Sequence, residues 1–139
     1  MNEALQLSQA SSSTAGILLL TVVFIEYGGW FMLRLVRHRK PATEFQRAFF
    51  RAGHAHAGVL VILALVGLIL ADSARLPGVL EVFARNGIWV AAILMPAGFF
   101  FSAMHGQATR PNGFIALVYA GAVALALGVV SLGIGLLLA

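Results

Sequence analysis

Four long apolar runs, separated by short polar segments, make up most of this chain. They extend over residues 14–36, 45–71, 87–105 and 114–138. A helix needs about 20 mostly apolar residues to cross a hydrocarbon core about 30 Å thick, and each run is long enough. Backbone polar groups must be satisfied internally in lipid, which favours helices. The pattern therefore predicts an all-α, integral membrane four-helix transmembrane bundle, with residues 1–139 forming a single transmembrane domain.

The polar segments between the runs contain residues that end helices. Pro41 cannot continue the first helix, and the Pro-Gly pair at 77–78 predicts a turn after the second run. Residues 79–85 are compatible with an interfacial helix or with the beginning of the third span. Pro96 predicts a kink within that span. Residues 1–13 contain no Lys or Arg, so we expect the first span to be retained and not removed as a signal peptide.

The composition excludes an ordinary soluble domain. Hydrophobic residues make up 60% of the chain and charged residues 10%, whereas a soluble domain has about 25% charged residues. The chain has no cysteine, which excludes disulfides, iron–sulfur clusters and thiolate metal sites. The isoelectric point near 10.8 is high enough for a nucleic-acid-binding protein, but the basic residues lie between the apolar runs. We therefore expect the lipid bilayer, and no nucleic acid, as their partner.

The basic residues are distributed unequally between the two ends of the expected bundle. Arg75 and Arg85 lie at one end. The remaining Lys and Arg residues lie in or beside the first and third connecting segments: Arg34, Arg37, Arg39, Lys40, Arg47, Arg51 and Arg110. Cytoplasmic segments of membrane proteins carry an excess of Lys and Arg. The distribution therefore predicts that both chain termini are on the non-cytoplasmic side.

Glu26 lies near the middle of the first apolar run, and Tyr27 follows it. An ionisable residue at membrane depth is costly and usually faces a bundle interior, a partner or a water-filled cavity. We expect Glu26 and Tyr27 to form a proton or cation relay. Glu26 would then be the deepest group of a funnel of ionisable residues that widens towards the cytoplasmic leaflet. The alternative is a purely structural Glu26, hydrogen-bonded to a backbone carbonyl.

Three histidines are expected on the same side of the bilayer as the exit of the first helix. His54 and His56 lie near the beginning of the second span, and His105 ends the third. Residues two apart on a helix point about 200° apart, so His54 and His56 do not both bind one metal ion on a regular helix. We expect one of them to bind a cofactor together with His105, with His54 and His105 as candidate metal ligands. Imidazole suits both b-type haem and a transition metal. The alternative is that the histidines are interfacial side chains, hydrogen-bonded to carbonyls or water.

The sequence Gly53-His54-Ala55-His56-Ala57-Gly58 resembles the HxH helix of small membrane haem proteins related to cytochrome oxidase subunit I. In that group, a helix that begins with such histidines supplies an axial ligand to haem. The resemblance is confined to the second predicted helix. It implies that His54 or His56 is one axial ligand and that His105 is the other.

The fourth run has no charged residue and contains a regular series of small residues. They recur at alternating intervals of three and four positions: Gly121, Ala124, Gly128, Ser131 and Gly135. In lipid, such a seam lets helices pack closely. Its partner is either another helix of the same chain or a second subunit. We expect a homo-oligomer, because a chain this small often completes its interior by association.

Three functions are compatible with these features. The first is the binding of a haem or metal cofactor at a buried Glu/His site near the cytoplasmic leaflet. The second is a proton or small-solute channel or transporter subunit gated by Glu26. The third is an accessory subunit of a larger membrane complex. The sequence has no glycine-rich phosphate loop, nucleophile elbow or HExxH motif, and it does not decide whether the protein is an enzyme.

Overall fold

The computed structural model describes residues 7–37 and 40–139. These residues form four helices, which are, in chain order, α1 (Gln9–Val36), α2 (Glu44–Ala71), α3 (Gly78–Ala103) and α4 (Ile115–Leu137). Each of these helices is long and apolar enough to span a membrane. The prediction of an all-α membrane fold with four spanning helices is confirmed. His38 and Arg39, in the basic segment after the first span, lie outside the described residues.

Side-chain caps explain where the first two helices begin. The Ser8 hydroxyl oxygen accepts a hydrogen bond from the Ser11 backbone N–H at 3.2 Å, at the start of α1. At the start of α2, the Gln46 backbone N–H donates to the Thr43 hydroxyl and the Thr43 backbone N–H donates to Gln46 Oε1. This capping box satisfies two backbone donors that would otherwise lack partners in the first turn.

The third helix is longer than the apolar run suggests. It begins at Gly78, whose φ of 57° favours glycine, so residues 79–85 form the first turns of α3 and not a separate interfacial helix. Glu81 and Arg85 are compatible with this extension because they pair one helical turn apart, with Arg85 Nε 3.0 Å from Glu81 Oε1. The helix ends at Ala103, so His105 lies beyond it. Pro96 is buried within α3.

The closest helix packing joins α3 to α4 through glycines. A Cβ atom on Gly87 would lie 2.5 Å from the Ala124 carbonyl oxygen and 2.6 Å from the Gly128 Cα. A Cβ on Gly121 would lie 2.5 Å from Met95 Cγ. These distances leave no room for a side chain, so the small residues are what allows the two backbones to approach. The partner of this part of the seam is therefore α3 of the same chain.

The end of the seam also packs within the chain. Ser131 is buried, and a Cβ on Gly135 would lie 2.6 Å from side-chain atoms of Leu76, in the segment between α2 and α3. The small residues of α4 thus have partners along the length of the helix, and they do not by themselves indicate a second subunit.

Helix α1 is peripheral by comparison. Its contacts with other helices are mainly with α2. In the most apolar 18 residues of each helix, 6% are buried in α1 and 50% in α3. The inward stripe of α1 includes Leu18, Met32 and Leu35. Most of the remaining surface of this helix is apolar and exposed on the single chain.

Candidate functional site

An apolar groove runs between α1, α2 and α3 and is partly open to the outside of the bundle, where Ile17 and Ile93 are exposed. Its cavity has a volume of about 490 Å³, within the range of about 300–1,000 Å³ typical of small-molecule and cofactor sites. Its walls are formed mainly by apolar side chains, among them Ile17, Leu18, Ile25, Val61, Ala92 and Phe100. Thr21 also lines it, but its hydroxyl donates to the Leu18 carbonyl at 2.6 Å. The groove therefore presents few polar atoms to a ligand.

His54 is the titratable side chain that lines this groove. Its ring packs against a pair of glycines on α1. A Cβ on Gly28 would lie 3.3 Å from His54 Nδ1, and a Cβ on Gly29 would lie 3.5 Å from its Cε1 and Nε2 atoms. The two glycines thus make room for the imidazole between α1 and α2. Among the described residues, no hydrogen-bond partner is found for the His54 ring.

His56 is on a different face of α2, as the two-residue spacing predicts. Its Nδ1 atom is 2.7 Å from the Ala52 carbonyl oxygen. Because a carbonyl only accepts hydrogen bonds, this contact assigns the Nδ1 atom as the donor. The ring packs against Phe99 of α3, with centroids 4.9 Å apart. His56 therefore lies beside an aromatic cluster and does not line the groove that contains His54.

His105 lies in the segment between α3 and α4 and is exposed. Its Nδ1 atom is 3.4 Å from Asn112 Nδ2. The neighbouring Gly106 carbonyl accepts a hydrogen bond from Gln46, which places this segment beside the first turn of α2. Residue 54 is eight positions further along α2, or about 12 Å at 1.5 Å per residue. His105 therefore lies about two helical turns from the level of His54, and it is not among the residues that line the groove containing His54.

The described residues also contain no group of three or more His, Cys, Asp or Glu side chains arranged to hold a metal ion. A closed protein metal site usually needs three or four such ligands. Among the described residues that line the groove, the imidazole of His54 is the side chain of a type that binds transition metals.

Glu26 does not face the interior of the bundle. It is exposed on α1, because the inward position is taken by Ile25 and the next residue lies about 100° further round the helix. Its neighbours on that face are apolar and exposed: Leu19, Val23, Trp30 and Leu33. Tyr27 is 68% exposed and packs against Trp30, with ring centroids 5.6 Å apart. The expected funnel from Glu26 to the three histidines is therefore not formed within one chain.

A polar cluster lies at the end of the bundle where α1 begins and α2 ends. It was not anticipated from the sequence. Asp72 accepts hydrogen bonds from the Ser8 backbone N–H at 2.9 Å and the Ser11 hydroxyl at 3.0 Å, and Arg85 Nη1 lies 2.6 Å from its Oδ1 atom. These contacts join the start of α1 to the end of α2 and to α3. Burial alone would raise the pKa of the Asp72 carboxyl, but the Arg85 hydrogen bond and those from Ser8 and Ser11 lower it to about 2. A Ser-rich start and an Asp that ends a helix are the only sequence signals of this cluster.

The sequence also gave no sign of how the segment between α3 and α4 is held. Gln46, which is buried, donates from Nε2 to the carbonyls of Ala103 and Gly106, each at 3.0 Å. Thr43 donates to the Ala108 carbonyl. The capping box of α2 therefore also anchors this segment, a contact between residues more than 50 positions apart that no local pattern reveals.

Comparison with protein-family models, with curated proteins and with solved structures finds no match to this chain.

Proposed function

We propose that the protein binds b-type haem in the membrane, in the groove between α1, α2 and α3, with His54 as an axial ligand. The single feature that supports this most is the position of His54. Its imidazole lines a largely apolar cavity of about 490 Å³ and has no hydrogen-bond partner among the described residues. An imidazole in an otherwise apolar pocket is the environment in which a histidine ligates haem iron.

The apolar lining of the groove fits the ring of such a group. The ring faces of a porphyrin are apolar, and aliphatic and aromatic side chains line the groove. The bound haem would supply an iron centre for electron transfer or for ligand binding. The protein would orient the imidazole through Gly28 and Gly29, which leave space for the ring. The apolar walls would limit the access of water.

We propose further that the chain forms a homo-oligomer through α1, with both termini on the non-cytoplasmic side. The support for assembly is Glu26, which is exposed among apolar side chains of a peripheral helix. Placing a charged side chain among acyl chains costs about 2.5–3.5 kcal/mol on the scale derived from membrane-insertion experiments. A second copy packed on this face would remove Glu26 from lipid. The support for the orientation is the excess of basic residues at the end where α2 begins.

The absorbance spectrum of the purified protein tests haem binding. After expression with adequate haem supply, we expect a Soret band that is lost in His54→Gly and restored when imidazole is added to that variant. His56→Ala and His105→Ala are the matched controls, and both should retain the band. Rescue by imidazole separates loss of a ligand from loss of the fold.

Two results would contradict the proposal. One is a wild-type protein without a Soret band and without bound metal by elemental analysis. The other is a band that survives in His54→Gly but disappears in His56→Ala, which would move the ligand to the opposite face of α2.

The exposed position of Glu26 also favours a second candidate function, the passage of protons or small cations along an interface between subunits. Such a path would run beside α1 and not through the interior of one chain. Proton flux into liposomes containing the wild type should exceed flux with Glu26→Gln, since the variant removes the carboxyl group from the proposed path. Glu81→Gln, an exposed carboxylate at the end of the bundle, is the control. Equal flux in all three proteins would eliminate this candidate.

A further inference from the structure

A second cavity, separate from the groove that holds His54, lies at the end of the bundle where α2 begins. Most of the basic residues of the chain are at this end. The cavity has a volume of about 190 Å³ and lies between the last turns of α1 and the first turns of α2. Its lining residues are Met32, Leu35, Val36, Glu44, Arg47 and Arg51. Two guanidinium groups and one carboxylate therefore face a space whose other walls are apolar.

The two arginines are placed to act on one ligand. Arg47 and Arg51 are four residues apart on α2, a spacing that puts their side chains on the same face of the helix. Arg47 is half-buried and donates from Nη1 to the Ala42 carbonyl at 2.7 Å, which fixes its guanidinium at the edge of the cavity. Arg51 is exposed one turn further into α2. A guanidinium has five N–H donors, so Arg47 keeps others for a ligand.

The described residues do not neutralise this cluster. The ion pairs found among them are those that Arg85 makes with Asp72 and Glu81, at the other end of the bundle. Arg34 lies over the Trp30 ring, 4.6 Å from its centroid, and Lys40 lies near the Phe31 ring. Near the cavity, Glu44 is the lining carboxylate, against two arginines. The residues that line this cavity therefore carry a net positive charge, which attracts an anion.

We propose that this cavity binds the headgroup of an anionic membrane phospholipid through its phosphate. Arginine pairs with phosphate through two parallel hydrogen bonds, and basic pockets between transmembrane helices are suited to anionic headgroups. The apolar walls favour a lipid over a free anion. Leu35 is buried in the wall, whereas Val36 is 64% exposed. The exposed side chain of Val36 provides an apolar surface at the cavity along which an acyl chain would lie.

Native mass spectrometry of the full chain in a mild detergent tests the proposal. Phosphatidylglycerol and phosphatidylcholine with identical acyl chains are the probes. We expect the wild type to retain phosphatidylglycerol preferentially, and the double variant Arg47→Gln/Arg51→Gln to bind it about 30-fold more weakly, given about 1 kcal/mol for each basic residue near an anionic surface. Arg75→Gln/Arg110→Gln removes the same charge from two exposed positions and should leave retention unchanged.

A third variant tests the proposal even if the Arg47→Gln/Arg51→Gln protein does not fold. Glu44→Gln removes the carboxylate from the cavity and should strengthen retention of phosphatidylglycerol by several-fold. Equal retention of the two lipids by the wild type, or equal losses in the two double variants, would overturn the proposal. So would displacement of the lipid by millimolar inorganic phosphate, since that would identify a site for a free anion. None of these outcomes depends on haem, so the two proposals fail separately.

Discussion

The interface between α3 and α4 and the surface of α1 are built in opposite ways. Between α3 and α4, glycines bring the backbones so close that a Cβ on Gly87 would lie 2.5 Å from a carbonyl oxygen. Along α1, by contrast, Gly16 has no neighbouring atom within 4 Å of a Cβ position, and few residues of the helix are buried. The first interface is complete within one chain. The surface of α1, by contrast, leaves space between this helix and its neighbours. That space contains both the groove with His54 and the cavity with Arg47.

This difference separates the part of the molecule that determines the fold from the part that is available for binding. Close packing by van der Waals contact is the main source of helix association in lipid, so the α3–α4 pair is expected to dominate stability. A peripheral helix with few contacts can leave grooves open to ligands, lipids or a second subunit. Substitutions in the two regions should therefore have different effects, on folding in one and on binding in the other.

The largest expected effect is that of Gly128→Ala in α4. A Cβ at this position would lie 2.9 Å from the Ile88 backbone nitrogen and 3.0 Å from the Gly87 Cα, so the helices must separate. We expect a loss of about 3 kcal/mol in the free energy of unfolding, at the upper end for overpacking. The matched control is Gly133→Ala on the same helix, where a Cβ meets no atom within 4 Å. Denaturation in detergent micelles, followed by circular dichroism, measures both, and equal stabilities would refute the distinction between the two regions.

A smaller effect is expected where α1 is joined to the rest of the bundle. Asp72→Ala removes the carboxylate that accepts hydrogen bonds from the buried Ser11 hydroxyl and from Arg85 Nη1. We expect a loss of about 2 kcal/mol, typical of hydrogen bonds to a charged group. Glu81→Ala removes an exposed ion pair one helical turn from Arg85 and should cost less than about 0.5 kcal/mol. If the two variants are equally stable, the Asp72 cluster does not hold α1 in place.

The same cluster predicts how stability depends on pH. The pKa of Asp72 is lowered from 3.8 to about 2 in the folded chain, so as the pH falls the unfolded chain takes up the proton first. The contribution of Asp72 is therefore fully present above about pH 5, and it is lost as the pH falls from about 4 to about 2. After allowance for solvent screening, it amounts to about 1 kcal/mol. Unfolding curves between pH 2 and pH 6 should show a decrease that is absent in Asp72→Asn, and parallel curves would count against the cluster.

The regions also differ in how well the sequence predicted them. The apolar runs are long and uninterrupted, so the four helices followed from length alone, and the small residues of α4 indicated close packing. The exposure of Glu26 was not predictable from its residue type, because a shift of one position, from Ile25 to Glu26, turns the side chain from the groove to the surface. The separation of His105 from His54 depends on Gln46 holding the segment after α3, which is a contact between distant residues. The groove itself arises from packing between three helices and has no local signature.

The smallest expected effect concerns the contact between α1 and His54. A Cβ on Gly28 would lie 3.3 Å from His54 Nδ1, closer than ordinary contact, so Gly28→Ala should move the imidazole by a few tenths of an ångström. If His54 ligates haem as proposed, we expect its dissociation constant to rise about twofold, equivalent to about 0.4 kcal/mol. Gly28→Val should have a larger effect, and Gly16→Ala, with open space at its Cβ, should have none. Haem titration followed in the Soret region measures all three. Identical haem affinities in the three variants would mean that α1 does not position the His54 ring, although both α1 and His54 line the groove.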